Sequence, residues 1–243
     1  MNTIAENLAA VRSAIAEAAS RAGRRADEVE LVAVSKTHAP ESIAEAIDAG
    51  QMLFGESRVQ EARAKIPLLP GRARWHFIGH LQRNKIRHAL AIGFELLHGI
   101  DSLEIARELN RIAAEAGLHP RLLLEVNVAG ESSKFGFSPT SLRAQLEELL
   151  ALDRLEIEGL MTIAPFAPEA EASRPHFVAL RELRDQVQTE FRLPLPRLSM
   201  GMSGDYAVAV EEGATLVRVG TAIFGTRRGK AWKPATEAAS FED

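Results

Sequence analysis

The sequence predicts an α/β fold: a single-domain (β/α)8 TIM barrel with one extra helix ahead of its first strand. Three observations carry that expectation. The 243 residues suit one such barrel, which typically takes about 250. Short apolar runs alternate with helical patterns to give eight strand–helix units. Turns rich in glycine and hydroxyls follow the seventh and eighth runs, where barrels of this kind often bind phosphate. Periodicity alone does not decide closure, so an open doubly wound sheet is the other architecture it allows.

The elements follow in order. Ile4, Leu8, Val11 and Ile15 recur at helical spacing behind a Thr3–Glu6 capping box, with Gly23 as a stop, so the extra helix covers about 3–23. The barrel covers about 29–228. Its first strand is Leu31–Ser35, and the next helix has Pro40 in its first turn and Gly50 beyond its end. Met52–Phe54 is the second strand, followed by a helix over Val59–Ile66. Trp75–Ile78 is the third, with a helix from about Asn84. Phe94–Leu97 is the fourth, and its helix has Ser102 as cap, Leu109 and Ile112 inward and Gly117 as stop. Leu122–Val126, nearly all apolar, suits a strand buried on both faces. Its helix opens at Ser138-Pro139 and carries Leu142, Leu146 and Leu149. Ile157–Met161 is the sixth strand. A long helix after Pro175 buries Phe177, Leu180, Val187 and Phe191. Arg197–Met200 is the seventh strand, and Asp205 caps a short helix that stops at Gly213. Leu216–Val219 is the eighth, with a final helix after Gly225 and a short tail beyond Arg228 that is helical or frayed.

Composition narrows the function. Hydrophobic residues make up 46% and charged residues 26%, enough for a core without metal or disulfide staples. A net charge of −4 argues against a general nucleic-acid or membrane binder. Without cysteine, thiolate chemistry is excluded and a cytoplasmic setting is expected. The first residues do not read as a signal peptide, and no apolar run approaches the ~20 residues of a membrane span.

Barrel sites lie on the loops after the strands. Lys36 closes the first strand. Desolvation there would free its amine to attack an aldehyde, or its head simply snorkels to water. Gly55-Glu56-Ser57-Arg58 and Gly79-His80-Leu81-Gln82-Arg83-Asn84-Lys85 bring polar groups to the same mouth. His80 is either an acid/base group or a solvated loop histidine. The loop Asn127–Phe137 is a mobile lip or an ordinary surface loop. Small residues in Ser199–Asp205 and Arg218–Gly225 let backbone approach an anion, with Ser203 and Thr221 adding hydroxyls. Arg218, inside the eighth strand, needs a partner: a cofactor ring nitrogen or a barrel carboxylate.

Several stretches together resemble one family, the pyridoxal phosphate (PLP) homeostasis proteins, related to the N-terminal barrel of alanine racemase. They are Leu31–Thr37, Phe54-Gly55-Glu56, His76–Lys85, Glu158–Met161, Leu198–Ser203 and Arg218–Gly225. The match runs in order along nearly the whole chain. The resemblance implies that pyridoxal 5′-phosphate is held as a Schiff base on Lys36. It also implies that Ser203, Gly220 and Thr221 hold the phosphate, Arg218 faces the pyridine nitrogen, and Asn84 lies near the ring. Where the family often has Asn after Gly-Glu, this chain has Ser57, which weakens that position as a contact.

The implied function is intracellular PLP homeostasis, buffering or delivering the cofactor, with no catalytic residues and no metal. The alternative is a PLP-dependent, racemase-like enzyme; a third reading is a cofactor-free aldolase using Lys36. Two features favour the carrier. About 15 residues follow Arg228, too few for the second domain of a racemase, and Tyr206 is the only tyrosine. Arginine also leaves the ring nitrogen unprotonated, which makes a weak electron sink. The expected partners are PLP and PLP-dependent apoenzymes, with the chain a monomer binding neither nucleic acid nor membrane. Lys134, on the lip, is a second amine placed to assist release.

Overall fold

A computed structural model describes residues 2–131, 134–226 and Trp232. Eight parallel strands close on themselves in chain order, β1 (Glu30–Val34), β2 (Leu53–Glu56), β3 (Arg74–Phe77), β4 (Leu96–Ile100), β5 (Arg121–Glu125), β6 (Glu156–Met161), β7 (Arg197–Ser199) and β8 (Leu216–Val219). The seam is the β1–β8 ladder, with Val32 opposite Arg218 and Ala33 opposite Val219. Closure therefore excludes the open sheet.

The extra helix α1 (Ile4–Arg21) is present, and Thr3 and Glu6 close its capping box at 3.2 and 2.8 Å. Its Leu8, Val11 and Ile15 are buried. It packs on α2 (Pro40–Asp48), α8 (Tyr206–Glu211) and α9 (Thr221–Phe224), so it covers the seam side of the barrel. The outer ring continues with α3 (Val59–Lys65), α4 (Ile86–Ile92), α5 (Leu103–Ala116), α6 (Pro139–Leu150) and α7 (Arg174–Phe191). Val32, Leu53, Leu96, Leu123, Met161 and Leu216 form a separate cluster inside the barrel, while the outward strand residues join the helices in the larger core. A strand's two faces thus serve two cores.

Beneath the inner cluster, at the N-terminal ends of the strands, six charged residues form a closed ring. Arg74 pairs with Glu30 at 3.1 Å and Glu95 at 2.6 Å. Arg121 pairs with Glu95 at 3.7 Å and also with Glu158. Arg197 returns the ring to Glu158 and Glu30, each at 2.8 Å. Close strand packing here depends on Gly159, where a Cβ would lie 1.9 Å from the Arg197 carbonyl oxygen.

Some expectations shift. The fourth strand is Leu96–Ile100, not Phe94–Leu97, because His98 and Gly99 continue it into the barrel interior. A short helix not expected from the sequence, α9, begins directly after Gly220 and ends at Gly225, which has φ +81°, while the final helix expected after Gly225 lies outside the described residues. Asp205 stands at the N-cap of α8, yet its carboxylate accepts from Met202 N (2.7 Å) and Ser173 Oγ (2.8 Å) rather than capping the helix. Phe191 is only half-buried. The tail expected beyond Arg228 lies outside the described residues, apart from Trp232.

Candidate functional site

The open end of the barrel is built from the loops after the strands, and the first of these is rigidly held. Lys36 is half-buried and directly follows β1. On one side Ser35 Oγ donates to Glu56 Oε1 at 2.6 Å; on the other Thr37 N donates to Glu61 Oε1 at 2.5 Å. Lys65, fully buried, ties these together by donating to Ser35 O (3.1 Å), Glu56 (2.9 Å) and Glu61 (2.6 Å). Its ammonium also sits 5.3 Å from the Trp232 ring centroid, and Trp232 N donates to Thr37 O. Thr37 adopts φ +69°, unfavourable for a β-branched residue, so the clamp holds the backbone of the lysine loop in a strained turn. Burial raises the Glu56 carboxyl's pKa against the opposing pull of Lys65 and Ser35.

Beside this loop lies a small-residue cradle. At Gly220 a Cβ would meet Val34 Cβ at 3.2 Å, so glycine lets the turn after β8 press against the end of β1. Ser203 Oγ accepts from Gly220 N (3.2 Å) and Ala222 N (3.4 Å), which joins the loops after β7 and β8. Thr221 is exposed next to them. Tyr206, half-buried at the start of α8, packs over Gly201, and burial raises its phenol pKa.

Arg218 is 4% exposed and points into the barrel. Its guanidinium donates to Ser199 Oγ and, at 2.8 Å, to Thr162 O; no carboxylate hydrogen-bonds it. Desolvation lowers its pKa to about 10, partly offset by the charges of Glu125 and Asp205. Ser199 Oγ also lies 2.9 Å from His98 Nδ1, and His98 Nε2 lies 2.9 Å from His76 Nδ1. The arginine can only donate, which orients the whole chain. Ser199 Oγ–H donates to His98 Nδ1, and His98 Nε2–H donates to His76 Nδ1. Both imidazoles are then neutral. Burial agrees, pushing His76 down to about 4 and His98 well below its ordinary value.

The wall opposite carries Glu125 at the end of β5, 8% exposed, with its Oε2 3.3 Å from where a Cβ of Gly99 would stand. Above it the loop after β5 is anchored by Phe137 N donating to Glu125 O (2.8 Å) and Asn127 N donating to Phe137 O (2.9 Å). Phe135 stacks on His80 at 3.9 Å, and His80 Nδ1 lies 2.7 Å from Asp101. Lys134 is ion-paired with Glu131.

The expected site residues therefore divide. Lys36, Ser203, Gly220 and Arg218 converge from β1, β7 and β8 on one barrel end, with Thr221 at the edge. Asn84 is exposed in a 3₁₀ turn (Arg83–Lys85) after β3, and no hydrogen bond joins it to the others. The Ser57 carbonyl oxygen would lie 2.2 Å from a Cβ at Gly79, so this backbone shapes the wall between the second and third loops. Sequence reasoning missed Lys65, Glu61, His98, Ser199 and Glu125. Glu61 and Lys65 are four residues apart on a helix, a spacing ordinarily read as a surface pair. Glu125 ends an apolar strand as Lys36 does, and that signal was available. No group of three or more His, Asp or Glu among the described residues could hold a metal.

Residues 7–228 match the family described as the alanine racemase N-terminal domain. A pyridoxal phosphate homeostasis protein of Escherichia coli K12 is 46% identical over 237 residues, spanning 93% of this chain and 98% of that one. The chain belongs to the pyridoxal phosphate homeostasis protein family. Another member, from Aquifex aeolicus, is 43% identical over 224 residues, spanning 92% of this chain and 98% of its own. The structure of PipY from Synechococcus elongatus PCC7942 with PLP bound is 42% identical, with a TM-score of 0.81 over 92% of this chain and all of that one. Alanine racemase from Bartonella henselae shares the fold alone, at 14% identity and a TM-score of 0.69 over 94% of this family member and 61% of the racemase.

Proposed function

We propose that this chain binds pyridoxal 5′-phosphate as a Schiff base on Lys36 and serves intracellular PLP homeostasis, keeping the cofactor for buffering or delivery. The observation that carries the reading is the PLP-bound PipY structure, whose barrel this one follows over its full length. The residues present fit the group. Gly220 lets the turn after β8 press against the end of β1, where a Cβ would meet Val34 Cβ at 3.2 Å, and Ser203 supplies a hydroxyl beside it. Arg218 presents a desolvated guanidinium whose protein partners are one hydroxyl and one carbonyl. When bound, PLP supplies an electrophilic aldehyde and a conjugated ring.

This chain's own residues do the rest. The Lys65–Glu56–Glu61 clamp orients the backbone on either side of Lys36, so the amine needs little reordering to react. Ser203, Gly220 and Thr221 would hold the phosphate, Arg218 would keep its proton when facing the ring nitrogen, and Asn84 would contribute from the third loop. Arg218 leaves the ring a weak electron sink. Tyr206 packs beside the cradle loop, away from the role of a second base. Both features favour a carrier without turnover, which we take to be monomeric and cytoplasmic and to pass PLP to apoenzymes. No helix among the described residues is long and apolar enough to cross a membrane.

The test is absorption spectroscopy before and after borohydride. The fresh protein should be yellow, and reduction should fix a PLP-sized mass on the peptide containing Lys36. Label on another lysine overturns the assignment. α-Deuterium exchange into amino acids in D₂O checks the carrier reading. Exchange at enzymatic rates that is lost in Lys36→Ala would make this an enzyme.

A further inference from the structure

Polar side chains pointing into the upper barrel nearly all have protein partners. Arg218 has Ser199 and Thr162, His98 has Ser199 and His76, and Asp101 has His80. Glu125 is the exception. Alternation along β5 turns it inward with Leu123, a member of the inner apolar cluster, while Leu122 and Leu124 face the helices. The residue is 8% exposed, its Oε2 would lie 3.3 Å from a Cβ on Gly99, and its carboxyl makes no hydrogen bond to the protein. A carboxyl in that situation is costly to keep unless something outside the fold meets it.

We propose that Glu125 is a further binding residue of this site, the carboxyl that receives a polar group of the ligand from the β5 wall. This rests on the PLP-binding reading given above. Gly99 and Gly79 hold the neighbouring walls close: a Cβ on Gly99 would lie 2.5 Å from the Gly79 carbonyl oxygen. The carboxyl is therefore confined at the rim of the barrel interior and not lost in solvent.

Its protonation follows from its neighbours. Burial raises its pKa to about 7, and the charge of Asp101 at the end of β4 adds to the rise. Arg218 on β8 and His80 on the loop after β3 act the other way. Near neutral pH the group can therefore donate to an acceptor or accept from a donor. A raised folded value favours the folded state below the ordinary carboxylate range and loses that contribution as pH rises toward 7. An unmet Glu125 thus costs stability at pH 8 and nothing at pH 4.

The probe is pyridoxine 5′-phosphate, an alcohol that cannot form a Schiff base, so binding is read independently of Lys36. Calorimetric titration of the native chain, Glu125→Leu and Glu125→Gln is paired with melting of each ligand-free protein at pH 5 and pH 8. Glu125→Leu should weaken the probe at least tenfold while melting no lower than native at pH 8. Glu125→Gln should recover most of the affinity and abolish the native change in affinity around pH 7. If Glu125→Leu binds within twofold of native, or Glu125→Gln melts well below native at pH 8, Glu125 is a structural residue and the proposal falls. Failure of the native chain to bind the probe or PLP overturns the PLP-binding reading instead.

Discussion

A lysine amine acts as a nucleophile only if its charge is removable and its position is fixed. The second condition is visible here one residue to either side of Lys36, in Ser35 and Thr37. The phosphate assignment yields a differential expectation. Ser203→Ala and Thr221→Ala should each weaken PLP more than pyridoxal, by roughly 1.5–3 kcal/mol for a hydrogen bond to a charged group. Thr221 is exposed while Ser203 already accepts two backbone N–H groups, so the Ser203 loss should be the larger, because it also loosens the cradle. Titrating both ligands into both variants checks this, and equal losses for the two ligands would place the hydroxyls elsewhere. At the other end of the ligand, Arg218→Glu should shift the absorption of bound PLP by favouring a protonated ring nitrogen. The new carboxylate would face the Thr162 carbonyl, so circular dichroism must show that the variant is folded.

At the scale of elements, two close approaches dominate. Lys65 links the ends of β1 and β2 to α3 from a fully buried position. Lys65→Met leaves Glu56 and Glu61 buried without a cation, and denaturant unfolding should show a loss of about 3–5 kcal/mol. Lys36 labelling should fall with it, since the strained turn at Thr37 loses its clamp. Gly159→Ala drives a methyl into the backbone of β7 and should cost roughly 3 kcal/mol or more. These elements also mark what was legible in the sequence. The existence and order of the strands were readable because a doubly buried strand is a short apolar run. Strand β4 was misplaced because His98 and Gly99 break that pattern while lying inside the barrel. Lys36 and Gly220 were readable because each directly follows a strand, Ser203 because it lies in the glycine-rich turn after β7, and Arg218 because a charge interrupts an apolar strand. The clamp and the histidine chain were not, because they depend on which residues far apart in sequence share an interior. Gly99 makes the point: nothing beside it in the chain announces Gly79 or Glu125.

For the whole molecule, buried ionisable groups set an unusual acid response. His76 and His98 resist protonation when folded, so their contribution falls as pH drops below about 6.5, the ordinary histidine value. Glu125 and Glu56 have raised values and act in the opposite sense, favouring the fold as pH drops from 7 toward the ordinary carboxylate range. Between about pH 4.5 and 6.5 the two pairs therefore act against each other, each reducing the pH response the other would give. With Glu56 left in place, Glu125→Gln removes one of the two carboxyls on one side of that balance. Its stability should rise with pH through this window, more steeply than native by about 1.4 kcal/mol per pH unit. Below the window Glu30 and Glu95, whose values are lowered, Glu95 chiefly by Arg74 and Glu30 by Arg197 and Arg74 against its burial, lose their pairing, and unfolding should follow steeply. Urea melts from pH 3.5 to 8 read all three regimes.

The six-residue ring beneath the barrel has an arithmetic of its own. An even cycle of alternating signs satisfies every neighbour, and an odd one cannot. Reversing one member, as in Arg121→Glu, therefore frustrates two edges at once, and a compensating change at one neighbour merely moves the conflict one place round. Only substitutions that keep every sign, or that invert all six together, leave the lock intact. The closed end of the barrel is thus constrained collectively, as a circuit.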